Sequence, residues 1–300
     1  MPIAGAGAAV AAGILFVERH DPVMLAATRL VLVVILIVLA ILGRRGVLDF
    51  PFMRRRGVNL QAVRPGVTPT VWLVAHLDSK WQPVSMIARV AGVVGTSIGL
   101  IAMLVATFSV RAGDSAPLVA MLFTWISSVP LMLSVVGAGN HGTLDNASGV
   151  ATVLEAVESI PASARVGVMI TDAEELALAG ARAWAKSAPA SVALNCDSID
   201  DDGPLVVMYS RARPDALIAR LAAAAADVES QPVRVLRLIP GILTDSVALA
   251  DAGWETLTLS RGTFRTLQRI HTSRDTLAAM TGAGIAGAAR VLARTATELG

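Results

Sequence analysis

The sequence predicts an α/β domain with a mostly parallel mixed sheet flanked by helices, joined to three or four transmembrane helices. Three observations carry that prediction. Short apolar runs alternate with helix-spaced segments, as parallel strand–helix–strand units require. Histidines and carboxylates stand at the ends of several of those runs. Long uncharged stretches interrupt the alternation, in a chain of 300 residues that is 54% hydrophobic and 16% charged.

Soluble domains average roughly 25% charged residues. A mean hydropathy of +0.64 therefore places part of the chain in lipid. The formal net charge is +2, too small for a nucleic-acid footprint, so no nucleic-acid partner is expected. A single cysteine, Cys196, excludes an intramolecular disulfide.

A bilayer-spanning helix needs about 20 mostly apolar residues. Three stretches qualify by sequence: 25–42, with Arg29 near its start, and the uncharged stretches 90–110 and 117–138. The last two flank the short polar turn at 111–116 and read as a transmembrane hairpin, with Pro130 as a kink. Residues 3–17 are apolar but short, a candidate fourth span. Arg44, Arg45, Arg54, Arg55, Arg56 and Arg64 crowd the segment before the next motifs, against one acid, Asp49. The opposite-side loops hold only Arg19 and Arg111, each with acidic neighbours. The protein is expected to be multi-pass, and by the positive-inside bias the part that follows this basic segment faces the cytoplasm.

Domain organisation follows: an N-terminal membrane segment over 1–48, an inserted hairpin over 87–138, and one domain built from 57–80 and 139–300. That last part is large enough for a single α/β domain. Residues 71–75 read as a buried strand ending at His76. Residues 147–160 have helical spacing with Pro161 beyond. Residues 165–171 read as a strand running into Glu174 and Glu175, 176–186 as a helix, and 191–195 as a strand ending near Asp197. Further strands are expected at 205–208, 233–238 and 255–259, and helices at 214–228, 245–252 and 276–299. Ligands bind outside the carboxyl ends of strands in such sheets. His76, Glu174, Glu175 and Asp197 all fall there.

Along the chain stand His76-Leu77-Asp78-Ser79, Asp145-Asn146-Ala147-Ser148-Gly149, Glu174-Glu175, Asn195-Cys196-Asp197 and His271-Thr272-Ser273-Arg274-Asp275. Zinc takes imidazole nitrogen and carboxylate oxygen. Two zinc ions about 3.5–4 Å apart need a shared carboxylate and can clamp a hydrolytic transition state. The inventory supplies His76 and Asp197 for one ion, Glu175 and His271 for the other, and Asp145 between them. Glu174 adjoins a ligand without being needed as one, so it is the natural general base toward the attacking water. Asp78 is placed to accept the other ring N–H of His76 and fix its tautomer. Asp275 is placed to do the same for His271 or to cap the following helix. His141 reads as a loop residue or a pocket-lining one. Cys196 reads as a small buried residue, and the run Asp200-Asp201-Asp202 as a solvated turn.

In combination these motifs resemble the co-catalytic zinc aminopeptidases, the family that contains aminopeptidase S and glutamate carboxypeptidase II. The resemblance also takes in the run from Asn59 to Gly66 and Thr244-Asp245-Ser246 followed by Ala252-Gly253-Trp254. It covers nearly all of the non-membrane part. It implies a zinc-exopeptidase-like fold, two zinc ions per chain, a cis peptide after Asp145, and hydrolysis of N-terminal peptide bonds. The chain departs from the family in two respects. A transmembrane hairpin replaces a short loop between the first two motifs, which is expected to bring the catalytic mouth near a bilayer. Ile270 stands where many members carry a tyrosine that binds the oxyanion, so Arg269, Arg274 or Tyr209 is expected to substitute, or the substrate to differ.

The function expected is therefore a membrane-embedded zinc aminopeptidase acting on a peptide or small amide. The alternatives are a hydrolase of another amide (a dipeptide, an acyl-amino acid or a lipid-linked amide) and a non-catalytic membrane scaffold.

Overall fold

The computed structural model describes residues 1–17, 22–45, 56–109, 115–137, 139–238 and 242–300. The sequence expectations that rest on Arg19, Arg54 and Arg55, and on the turn at 111–114 lie outside the described residues. The chain divides into two compact units, Met1–Arg45 with Trp81–Ala138, and Gly46–Lys80 with Gly139–Gly300.

The first unit is helical: α1 (Pro2–Val17), α2 (Pro22–Arg45), α3 (Met86–Ser109) and α4 (Ala116–Met132). Its interior mixes small and hydroxyl side chains (Ala8, Ala11, Ala12, Thr124 and Ser128) with Leu15, Leu32, Leu100, Met103 and Leu131, all buried. Many other large apolar side chains face outward, with Ile126 and Phe108 each 71% exposed and Val105 60%. Glycines on α3 let α4 approach closely. A Cβ on Gly92 would stand 2.5 Å from Leu131 Cδ1, and one on Gly95 would stand 2.6 Å from Ser127 Oγ.

One helix among the described residues, over Met86–Ala106, is long and apolar enough to cross a membrane. Of the three or four spans expected, this one is supported among the described residues. The apolar stretch of α2 runs Val23–Val38, and α1 and α4 are also shorter than a span. The helix α4 stops at Met132 rather than 138 because the chain turns after Leu133, whose N–H closes onto the Val129 carbonyl. Pro130 near that end has no N–H to continue the ladder.

The second unit is a seven-stranded mixed sheet in the order β1-β3-β2-β4-β7-β5-β6. The strands are β1 (Leu60–Val63), β2 (Val71–His76), β3 (Val166–Thr171), β4 (Val192–Ile199), β5 (Leu205–Tyr209), β6 (Arg234–Arg237) and β7 (Glu255–Arg261). The central pairs β3–β2, β2–β4 and β4–β7 are parallel. β1 and β5 join antiparallel. Every residue of β2 is buried, because helices cover both faces and alternate side chains serve both. Val71, Leu73 and Ala75 join a core with α5 (Ser148–Ser159), α7 (Asp215–Ala226) and α10 (Ala283–Leu299). Trp72 and Val74 join the opposite core with α6 (Ala179–Ala185) and α8 (Asp245–Asp251). There Trp184 lies edge-on to Trp72 at 4.9 Å and against Trp254 at 4.8 Å.

Two helix boundaries differ from expectation for local reasons. The helix α6 begins at Ala179 rather than 176 because Ala177 and Leu178 hold φ values of 68° and 61°, incompatible with a right-handed turn. The helix α10 begins at Ala283 rather than 276. A short 3₁₀ turn over Leu277–Ala279 and a left-handed Gly282 precede it. Two elements had no expectation. One is β1, exposed along its whole length. The other is α9 (Phe264–Arg269), begun by a capping box between Thr263 and Thr266.

Candidate metal centre

The parallel strands β3, β2, β4 and β7 all end on one side of the sheet, and the histidine and carboxylate motifs converge there. His76 is the last residue of β2. Its Nδ1 donates to the Asp78 main-chain carbonyl at 2.9 Å. That bond turns Nε2 inward, 3.1 Å from Asp145 Oδ1 and 3.9 Å from Asp197 Oδ1. The expected tautomer-fixing carboxylate of Asp78 is 3.7 Å from the ring. It also takes two backbone donors: Oδ1 accepts the Glu174 N–H at 2.9 Å, and Oδ2 the Glu175 N–H at 3.0 Å.

Asp145 lies on the loop that opens α5, and its peptide to Asn146 is cis, as the resemblance implied. Asn146 holds that loop to β4: its Nδ2 donates to the Cys196 carbonyl, and its Oδ1 accepts from the Gly149 and Ser198 N–H groups. Gly149 is needed here, since a Cβ would overlap Asn146 Oδ1. From the other side Asp275 accepts the Leu144 N–H at 2.6 Å and the Asp145 N–H at 3.2 Å. Asp275 therefore braces the Asp145 loop. It does not cap the following α-helix, which starts only at Ala283.

Asp197 leaves β4 where the β4–β7 register is irregular, between Cys196 and Ile199. Such irregularities re-aim side chains beside sites. Ser198 there has φ 59°, Ala173 before Glu174 has 57°, and His271 itself has 64°. Left-handed backbone of this kind clusters at functional sites. Cys196 is fully buried, as its alternation in the strand predicts.

Two groups of side chains result, each with its ligand atoms within 4.8 Å of one another: His76, Glu174 and Asp197, and Asp145, Glu175 and His271. His271 Nε2 lies 2.8 Å from Asp145 Oδ2 and 2.8 Å from Glu175 Oε1. Asp145 thus turns one oxygen toward each histidine. Glu175 carries a further partner that the sequence did not reveal: Lys80 Nζ donates to its Oε2.

The electrostatics follow from packing this much acid into a dry site. Burial alone would lower the His76 imidazole, but the Glu174 charge and the surrounding aspartates raise it well above its ordinary value. His271 is likewise raised, burial being outweighed by Asp145 and Glu175. Asp145 is held well below the usual carboxylate range despite its burial, by the two histidines. Burial pushes Glu174 well above that range, and Glu175, Asp197 and Asp245 add to the effect. Burial also lifts Asp245 to about 6. It is fully enclosed and accepts a hydrogen bond from Thr171. Both histidines are thus raised by the carboxylates packed around them. The donor set and the shared Asp145 fit two zinc ions.

The residues considered as substitutes for the missing tyrosine are engaged elsewhere. Arg269 pairs with Asp200 at 3.1 Å, and Arg274 donates to the Gln268 carbonyl. The Tyr209 ring lies beneath Arg213. His141 is exposed, its N–H on the Asp275 carbonyl.

The profile of Peptidase family M28 matches residues 59–296. No curated protein matches the sequence. Among solved structures, a leucine aminopeptidase precursor from Bacteroides thetaiotaomicron superposes with a TM-score of 0.55 at 13% identity, over 98% of this chain and 96% of that one. A zinc aminopeptidase from Bacillus subtilis gives 0.53 at 14% identity, over 80% of this chain and 49% of that one. An aminopeptidase from Aneurinibacillus gives 0.51 at 13%, over 80% and 47%. The chain spans about half the length of the last two. At these identities the likeness is one of fold, whereas the profile match covers most of the chain and all five motifs. The chain belongs to Peptidase family M28.

Proposed function

We propose that this protein is a membrane-associated zinc aminopeptidase of the aminopeptidase S and glutamate carboxypeptidase II type, with two ions per chain. The observation that carries the reading is Asp145, whose carboxylate turns Oδ1 to His76 Nε2 and Oδ2 to His271 Nε2. His76 and Asp197 would hold one ion, Glu175 and His271 the other, and Asp145 both. When bound, the pair supplies Lewis acidity toward the amide carbonyl and toward a water. Glu174 lies in the first group with His76 and Asp197 without being counted among the ligands, and its burial-raised carboxyl would take the proton of the attacking water and return it to the departing amine. Asp78 and Asp275 position these groups through the backbone. The structural relatives described as aminopeptidases favour a peptide with a free amino terminus.

Membrane association is supported by the helix over Met86–Ala106 and by the first unit's Val/Ile/Phe exterior. Lipid, unlike water, rewards that pattern. A multi-pass arrangement with the catalytic unit on the cytoplasmic side remains part of this proposal.

A second reading, hydrolysis of another amide, is favoured by Ile270. Its buried apolar side chain offers no donor beside His271, and removing one oxyanion donor costs about 10²–10³ in rate.

Metal content and aminoacyl-nitroanilide hydrolysis, measured on detergent-purified wild type and Glu174→Gln, test the proposal. Two zinc ions in both with activity in wild type alone is the expected result. Two ions with no activity in either moves the substrate to other amides. No bound zinc after zinc addition overturns the enzyme reading.

A further inference from the structure

Lys80 sits at the centre of the site although no motif contains it. The chain is built on arginine: of its 25 basic residues two are lysines, Lys80 and Lys186. Lys80 is tied down at both ends. Its carbonyl accepts Asn140 Nδ2 at 2.8 Å, and its ammonium donates to Glu175 Oε2. Its side chain is 17% exposed and that of Glu175 6%, so the pair is little screened by solvent. The other Glu175 oxygen, Oε1, faces His271 Nε2 at 2.8 Å. The ammonium therefore divides the carboxylate, one oxygen for lysine and one for the Asp145–His271 side. No salt bridge from lysine or arginine reaches His76, Glu174 or Asp197 among the described residues.

We propose that Lys80 is a positioning residue that makes the two cation positions unequal. By holding Oε2 it keeps Glu175 a one-oxygen donor. It also sets a permanent positive charge beside the Asp145–Glu175–His271 position. Both effects weaken that position relative to the one formed by His76 and Asp197, the first by limiting coordination and the second by like-charge repulsion. The position nearer Lys80 fills second and exchanges more readily. This inference rests on the two-zinc reading of the site.

Chelator-competition titration of the metal-free full-length protein with zinc tests it on wild type, Lys80→Met, Lys80→Gln and Lys80→Arg, each checked for native circular dichroism. Wild type should bind two equivalents in separated steps. Met and Gln should tighten the second step by about 10- to 100-fold, the usual scale for altering an outer partner of a metal ligand, and leave the first within about threefold. Arg should restore the wild-type separation. With cobalt in place of zinc, the visible band of the second equivalent should weaken in Lys80→Met as Glu175 engages through both oxygens and the coordination number rises. A second step unchanged or weakened in both Met and Gln overturns the role of Lys80 alone. Wild type that binds no metal overturns the two-zinc reading and this inference with it.

Discussion

Asp78 Oδ1 accepts the Glu174 N–H at 2.9 Å, across 96 residues of sequence. Its second oxygen takes the Glu175 N–H, so one carboxylate sets the backbone of both glutamates. Replacing it by alanine strands two partly buried donors. Asp78→Ala should lower the unfolding free energy by about 1–3 kcal/mol, and Asp78→Asn by less, since an amide oxygen still accepts. Urea unfolding of the metal-free protein reads the difference. An Asp78→Ala variant as stable as wild type would remove the clamp from the account.

Asp275 performs the matching task for the Asp145 loop. It is fully buried, and its two oxygens accept the Leu144 and Asp145 N–H groups. In Asp275→Asn one of those acceptors becomes a donor facing a donor. The expected loss is about 1–3 kcal/mol, together with weaker zinc binding at both positions, because Asp145 serves both. Isothermal titration with zinc checks this, and weakening at one position only would contradict a shared role for Asp145.

The general-base assignment predicts a kinetic effect without a metal effect. Glu174→Gln should lower kcat by about 10²–10⁴ while zinc stoichiometry is retained. If zinc is lost in parallel with rate, Glu174 belongs among the ligands, as its proximity to His76 and Asp197 would then require.

How much of this was legible in the sequence depended on whether the information was local. His76, Glu174, Glu175 and Asp197 were found because each follows a short apolar run, and a strand in a parallel sheet delivers its last residues to one edge. The backbone partners of Asp78 and Asp275 were not foreseen, because they are amides far along the chain, and amides leave no mark in a sequence. Lys80 was missed for the same reason, since only folding brings it to Glu175. The strand β1 escaped because an exposed strand lacks burial alternation. The helix lengths near 132 and 179 were set by a chain turn and by left-handed residues that hydropathy does not register.

Asp245 carries a pH dependence whose sign follows from its burial. Unfolded, its carboxyl titrates near 3.9; folded, it is lifted to about 6. The native state therefore binds the proton more tightly. The associated stability is fully present below about pH 4 and is lost as pH rises through about 6. The full two-unit difference corresponds to at most about 3 kcal/mol, shared with neighbouring charges. Asp245→Asn should thus gain stability relative to wild type between pH 4.5 and 7.5, in metal-free urea unfolding. A constant difference across that range would mean the carboxyl titrates normally.

The apolar exterior of the first unit predicts opposite responses at its two faces. Gly99 lies against Thr124, where an added Cβ would overlap its hydroxyl. Gly99→Val should cost about 1–3 kcal/mol by overpacking and lower the melting temperature in detergent. Ile126, 71% exposed on α4, should tolerate Ile126→Leu without effect. Ile126→Lys puts a charge on the same outward face. If that face meets hydrocarbon, insertion is opposed by about 2.5–3.5 kcal/mol near a helix centre, and the protein shifts out of the membrane fraction or loses yield there. If it meets water instead, the lysine is harmless, and the variant should be at least as soluble without detergent. Fractionation of the two variants beside wild type decides between these, because only a lipid-facing surface penalises the charge while ignoring the leucine.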